Sequence, residues 1–159
     1  MTQAPLKMLT PHALLATWFG SGLAPKAPGT WGTLAALPFT IAIMALFGTL
    51  GLALFALTAF VLGLWAADLW ERETGIHDDK RIVIDEVAGI ALTLIPAGLN
   101  PILIVLGVIL FRIFDIAKPA PVSTIDKRIN GSLGVMLDDI AAAAYAGGIL
   151  WIIKLLAFS

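Results

Sequence analysis

The sequence predicts an all-α, polytopic membrane bundle of about four to five membrane segments in a single domain, residues 1–159, with its polar chemistry at the cytoplasmic interface. Three observations lead there. First, 59% of the residues are apolar and only 13% charged, and the mean hydropathy is +0.95. A soluble chain of 159 residues has too much surface for its volume to bury so much apolar matter, so the bilayer is the better solvent. Second, long stretches carry no charge at all. Third, the basic residues are grouped rather than scattered. The formal net charge of −1 gives no support to nucleic-acid binding. With no cysteine, disulfides, thiolate nucleophiles and zinc–thiolate sites are excluded.

The elements follow in order. The first twenty residues have one lysine and a short, proline-broken apolar run, unlike a cleavable signal peptide. Residues 11–19 suit a short interfacial helix. Residues 20–33 (GSGLAPKAPGTWGT) are too rich in Gly and Pro to be helical. Residues 34–67 contain no charged side chain across 34 positions, too long for one span of about 20 residues and short for two. Gly48-Thr49-Leu50-Gly51 falls near the middle, which predicts a tight helical hairpin, 34–48 and 51–67. A polar stretch, 68–81, comes next. A second apolar block, 87–110, is interrupted at 96–101 and predicts another hairpin with short or re-entrant arms. Residues 111–132 are polar and twice broken by proline. A last helix is expected from about Asp138 to Phe158.

Lys7, Lys26, Arg72, Lys80, Arg81, Arg112, Lys118, Lys127 and Arg128 all lie outside the hairpin tips. Two hairpins put these basic regions on one side, which the positive-inside rule makes cytoplasmic. Trp18, Trp31, Trp65 and Trp70 fall at expected interfaces. Lys154 would snorkel on the far side.

The acids are the chemically informative residues. Asp85-Glu86 and Asp138-Asp139 are adjacent pairs, each at the edge of an apolar segment. Ionised carboxylates beside hydrocarbon are expensive unless paired, metal-bound or functional. Oxygen ligands favour Mg²⁺, Mn²⁺ or Ca²⁺. Helical neighbours point about 100° apart, so one acid of each pair can face a site. The plainer account is that these acids complement a positive helix N-terminus. Two pairs, with Asp78 and Asp115 in similar settings, tip the balance to metal binding. RIVIDEVAGI (81–90) faintly echoes GVMLDDIAAA (134–143), as two helices lining one site would, though chance accounts for it nearly as well.

Lys26 stands in a Gly/Pro-rich loop with Thr30 and Thr33, a pattern suited to cradling an anion, although the P-loop spacing is absent. An interfacial loop with a snorkelling lysine fits equally well. Arg112 and Asp115 are three apart, as in an ordinary helical ion pair, and Lys118 precedes a helix-stopping proline. His77 is a loop histidine and His12 stands apart; neither has a nucleophile around it.

Together, GLAPKAPGTWGT, GIHDDKRIVIDEVAG, FRIFDIAKPAPV and GVMLDDIAAA resemble the phosphatidylglycerophosphatase A family over roughly residues 17–147. The resemblance implies a Mg²⁺-dependent, multi-pass enzyme of the bacterial cytoplasmic membrane. It implies removal of the terminal phosphate of phosphatidylglycerophosphate, a phospholipid in the bilayer, to give phosphatidylglycerol. It implies functional positions at Lys26, Thr30, His77, Asp78, Asp85, Glu86, Arg112, Asp115, Lys118, Asp138 and Asp139. On this reading Asp78, Asp85, Glu86, Asp138 and Asp139 hold the metal. Lys26, Thr30, Arg112 and Lys118 bind substrate, and Lys26, Asp85, Asp115, Lys118 and Asp138 take part in catalysis. Asp79 and Lys80 are left out. The alternative is a small divalent-metal-ion transporter, which needs a polar path that the sequence lacks. A scaffolding protein would not need the loop beside the acids.

Overall fold

The computed structural model describes residues 8–158, apart from the side chain of Asp126; Lys7 and most of the N-terminal basic region lie outside them. The described residues form six α-helices, one 3-10 turn and no strand: α1 (Pro11–Ala16), the turn Ser21–Leu23, α2 (Pro28–Thr74), α3 (Ile84–Thr93), α4 (Pro101–Ala117), α5 (Val122–Arg128) and α6 (Gly131–Ala157).

The first hairpin is present, and its arms are longer than expected. α2 is broken at Gly48, whose φ of 65° and ψ of −161° no β-carbon-bearing residue adopts cheaply. The chain folds back there. The Trp18 ring meets Phe39 on one arm at 5.1 Å and Phe55 on the other at 6.3 Å, so the arms lie side by side. The helix begins at Pro28, inside the stretch expected to be non-helical. Proline is at home in a first helical turn because that turn's N–H groups have no partner anyway. At the other end the arm runs to Thr74, where Gly75 closes it in a left-handed cap.

The second hairpin also forms, with unequal arms. α3 has 10 residues, about 15 Å of rise, against a hydrocarbon core of about 30 Å. A string of turns leads to α4, whose start is fixed by Asn100. Its side chain accepts hydrogen bonds from the Ile102 and Leu103 N–H groups, a cap contributing about 1 kcal/mol. Nearly every residue of α3 is buried, because α2, α4 and α6 all pack on it. The uncharged block was set at 87–110; the helices start three residues earlier and end seven later.

α6 differs most from expectation. It begins at Gly131, not near Asp138, and runs 27 residues. Asp138 and Asp139 therefore sit two turns inside a helix. Two of the interfacial tryptophans are also inside: Trp70 is fully buried and Trp18 nearly so, whereas Trp31 and Trp65 are exposed. His12 does not stand apart. Its Nε2 lies 2.9 Å from Glu73 Oε2, tying α1 to the end of α2.

Thr49, Pro96 and Lys154 line one cavity, so both hairpin tips and the C-terminal part of α6 share one end of the bundle. The acidic residues gather at the other. α2 and α6 are long and apolar enough to cross a membrane by length and composition.

Candidate active site

A cleft of about 570 Å³ opens at the end of the bundle opposite the hairpin tips. It is walled by the start of α2, the loop before α3, the first turn of α3, the last turns of α4 and the middle of α6. With the loop and first turn of α3 taken as one stretch, these come from four segments far apart in the chain, and each contributes charged or backbone polar groups.

Three buried carboxylates form its floor. Asp85 and Glu86 come from the first turn of α3, and Asp139 comes from α6. One oxygen of each lies within 4.8 Å of the others. Asp85 Oδ1, Glu86 Oε2 and Asp139 Oδ2 are shielded from solvent and have no hydrogen-bond partner in the protein. Buried acceptors are normally satisfied, so three unpartnered oxygens on three clustered carboxylates suit a bound cation or donor. At their spacing, two ionised carboxylates repel by about 3.5 kcal/mol at an effective dielectric of about 20. A hard divalent cation would partner these oxygens and offset their charge. The donor set fits such an ion.

The helix-terminus account explains Asp85 and Glu86 in part, since they do occupy a first turn. It does not explain Asp139, which is two turns from the start of α6. The second pair is also split. Asp138 leaves the cluster and accepts a 2.6 Å hydrogen bond from Lys118 Nζ. Lys118 is the left-handed residue that ends α4, just before Pro119.

Arg112 and Asp115 form the helical ion pair that their spacing predicts. The guanidinium does more than that, reaching to 3.7 Å from Glu86 Oε1, while its Nε is buried without a partner. Three cations thus line the cleft: Arg112 and Lys118, held beside the acidic floor by Asp115 and Asp138, and the exposed Lys80 on the loop before α3.

Close approach of α2 completes the wall. A β-carbon on Gly29 would lie 2.2 Å from Glu86 Oε1 and 3.2 Å from the Arg112 guanidinium nitrogens. A side chain there would have to push the Glu86 carboxylate aside, so glycine lets the start of α2 rest against the site as it stands. Sequence reasoning did not single out Gly29, although Pro-Gly at a helix start beside a candidate anion loop was the available signal.

Asp79 was also passed over. It is buried, accepts from Trp70 Nε1 at 3.0 Å, and takes the Arg81 guanidinium through Nε at 3.0 Å. Arg81 in turn lies over the Trp70 ring, 5.1 Å from its centroid. Burial opposes ionisation of Asp79, but the bonds from Arg81 and Trp70 outweigh it and hold the carboxyl below its usual range. The Val83 N–H donates to the Ala16 carbonyl at 2.8 Å, anchoring the same loop to α1. No periodicity links positions 70, 79 and 81, so this clamp was not legible beforehand.

The remaining expected residues lie at or beyond the rim. Asp78 lines the cleft but is exposed, with its backbone N–H bonded to Glu71 Oε1 at 2.9 Å. His77 is exposed and pairs with Glu71 at 3.0 Å. Lys26 is exposed on the loop before α2 and Thr30 is half-buried; neither lines the cleft, although their neighbours Ala27, Pro28 and Gly29 do.

Comparison with known proteins shows the family to which the chain belongs. The phosphatidylglycerophosphatase A family model matches residues 14–154. Phosphatidylglycerophosphatase A of Escherichia coli (strain K12) is 37% identical over 154 residues, covering 96% of this chain and 89% of the relative. Phosphatidylglycerophosphatase A of Haemophilus influenzae is 40% identical over 147 residues, covering 89% and 90%. A Bacteroides thetaiotaomicron protein named putative phosphatidylinositol-3-phosphatase is 39% identical over 142 residues, covering 84% and 87%. No solved structure matches. With a family match from one end of the bundle to the other, and relatives well above 30% identity over most of their length, the chain belongs to the phosphatidylglycerophosphatase A family.

Proposed function

We propose that this protein hydrolyses the terminal phosphomonoester of phosphatidylglycerophosphate, giving phosphatidylglycerol and inorganic phosphate. The observation that carries the reading is the cleft itself. Three buried carboxylates with unpartnered oxygens converge beside two cations, in a chain of this family. An acidic floor does not bind a phosphate dianion unaided. A divalent cation, Mg²⁺ on this reading, held by Asp85, Glu86 and Asp139, would neutralise phosphate charge and activate water.

The protein's own groups then have separable tasks. Arg112 and Lys118 hold phosphate oxygens, the guanidinium in a fork and the ammonium as a point charge. Asp115 and Asp138 aim those two cations. Gly29 lets the start of α2 lie against Glu86 and Arg112. Water forms the new P–O bond, the ester P–O bond breaks, and the glycerol oxygen leaves with a proton. Most of the rate enhancement comes from positioning and charge stabilisation.

The membrane reading supports this substrate. Large apolar side chains stand exposed along the bundle, among them Phe47 at 68% and Leu156 at 82%, as expected where lipid is the solvent. On this reading both arms of α2, the α3–α4 hairpin and α6 are embedded as a multi-pass unit in the bacterial cytoplasmic membrane. The basic loops, and with them the cleft, face the cytoplasm. A headgroup phosphate then reaches the site while its acyl chains stay in the bilayer. An ion path is not supported: the mid-helix hydroxyls of Thr40, Thr58 and Thr93 are spent on carbonyls of their own helices.

Purified protein in detergent should release phosphate from phosphatidylglycerophosphate when Mg²⁺ is present and stop when it is chelated. Phosphatidylinositol 3-phosphate, suggested by the name of the Bacteroides relative, is the comparison substrate. Faster turnover of that lipid would move the substrate assignment. Undiminished turnover after exhaustive chelation would remove the metal.

A further inference from the structure

We infer that Lys80 is a headgroup-binding residue that takes the substrate's second phosphate, the phosphodiester between glycerol and diacylglycerol. The inference rests on the activity proposed above and deepens it. The substrate presents two anionic phosphates, a terminal monoester and an internal diester. Three cations line the cleft: Lys80, Arg112 and Lys118. Arg112 is committed to Asp115 and Glu86, and Lys118 to Asp138. Both flank the carboxylate floor, where the reacting phosphate belongs. Lys80 lies on the loop that borders the cleft from another side, and among the described residues no ion pair includes it.

The loop is built to present that side chain. Asp79 and Arg81, the residues on either side, are locked together and onto Trp70. The Ile82 N–H closes on the Asp79 carbonyl at 2.8 Å, and the next residue is tied to α1. A lysine on a loose loop loses much rotamer and backbone entropy when it binds. A lysine whose neighbours are clamped loses less. An uncommitted ammonium on a rigid rim, beside a catalytic floor, suits a phosphate that must be held but not cleaved. The diester also distinguishes this substrate from phosphatidic acid or free phosphate, so Lys80 would set specificity.

The test is steady-state kinetics on Lys80→Ala and Lys80→Arg in the full-length protein, with two soluble inhibitors. Glycerophosphoglycerol carries only the diester; inorganic phosphate mimics only the monoester. Lys80→Ala should raise KM for phosphatidylglycerophosphate by roughly ten- to hundredfold, the usual loss of one charge-assisted hydrogen bond, with kcat changed less than about threefold. The inhibition constant of glycerophosphoglycerol should rise by a similar factor and that of inorganic phosphate should stay put. Lys80→Arg should recover most of the loss. Unchanged KM in Lys80→Ala overturns the inference, as does an equal weakening of both inhibitors. Failure of the unmodified protein to cleave phosphatidylglycerophosphate instead overturns the activity on which the inference rests.

Discussion

Replacing Asp139 by Asn should make the metal-free protein more stable while destroying its activity. The side chain keeps its size and loses only its charge. With one oxygen of each acid within 4.8 Å of the others, each ionised pair in the cluster costs about 3.5 kcal/mol at an effective dielectric of about 20. Asp139→Asn removes two of the three pairs, about 7 kcal/mol of bare repulsion before any relaxation. Proton uptake and local rearrangement already relieve much of that strain. A net gain of about 1–2 kcal/mol is therefore expected, within the range found when buried charges are replaced. For a chain of this size that is about 2–8 °C in Tm. The unmodified protein should itself gain about 2.7 kcal/mol when Mg²⁺ is raised to a hundred times its Kd, and the variant should gain almost nothing. Turnover should fall by roughly a hundred- to a thousandfold, as when a key electrostatic group is lost. Tryptophan-fluorescence melting in detergent, with chelator and with Mg²⁺, reads the first two effects, and phosphate release reads the third. A lower Tm without metal, together with an intact Mg²⁺ response, would show that these acids are structural and would refute the cation site.

Two further outcomes follow from the geometry. Gly29→Ala should lower turnover about tenfold or more, because the new β-carbon displaces Glu86 and Arg112. Tm should hold or fall, since displacing buried charged groups offsets any gain in helix propensity; full activity would mean that α2 does not shape the site. In intact cells, an impermeant thiol reagent should label Thr49→Cys from outside but not Ile76→Cys or Lys127→Cys, all in a chain with no native cysteine; external labelling at 76 or 127 would invert the proposed orientation.

The sequence by itself determined the helical class, the two hairpins and the acids worth watching. Those are local matters. An uncharged stretch of 34 residues admits few structures, a glycine in its middle marks a turn, and carboxylates beside apolar runs announce their cost. Arg112 and Asp115 pair as their spacing says, because three residues along a helix is a fixed distance. The resemblance to a known family came from motifs, and it too was legible in one dimension.

Tertiary structure decided how the acids divide. Asp138 and Asp139 are indistinguishable in sequence, yet one meets Lys118 and the other joins Asp85 and Glu86. The reason is that α6 starts at Gly131 and turns the two side chains toward different neighbours. Hydropathy could not place that start, because residues 131–137 are as compatible with a loop end as with a helix. Trp70 was expected at a membrane interface and is instead buried against Asp79, a partner nine positions away that no helical repeat connects. Gly29 matters because Glu86 and Arg112, from two later helices, come within van der Waals reach of it. Each of these depends on which helices pack together. That outcome is set by the fit of side chains across the bundle, and one-dimensional patterns do not encode it.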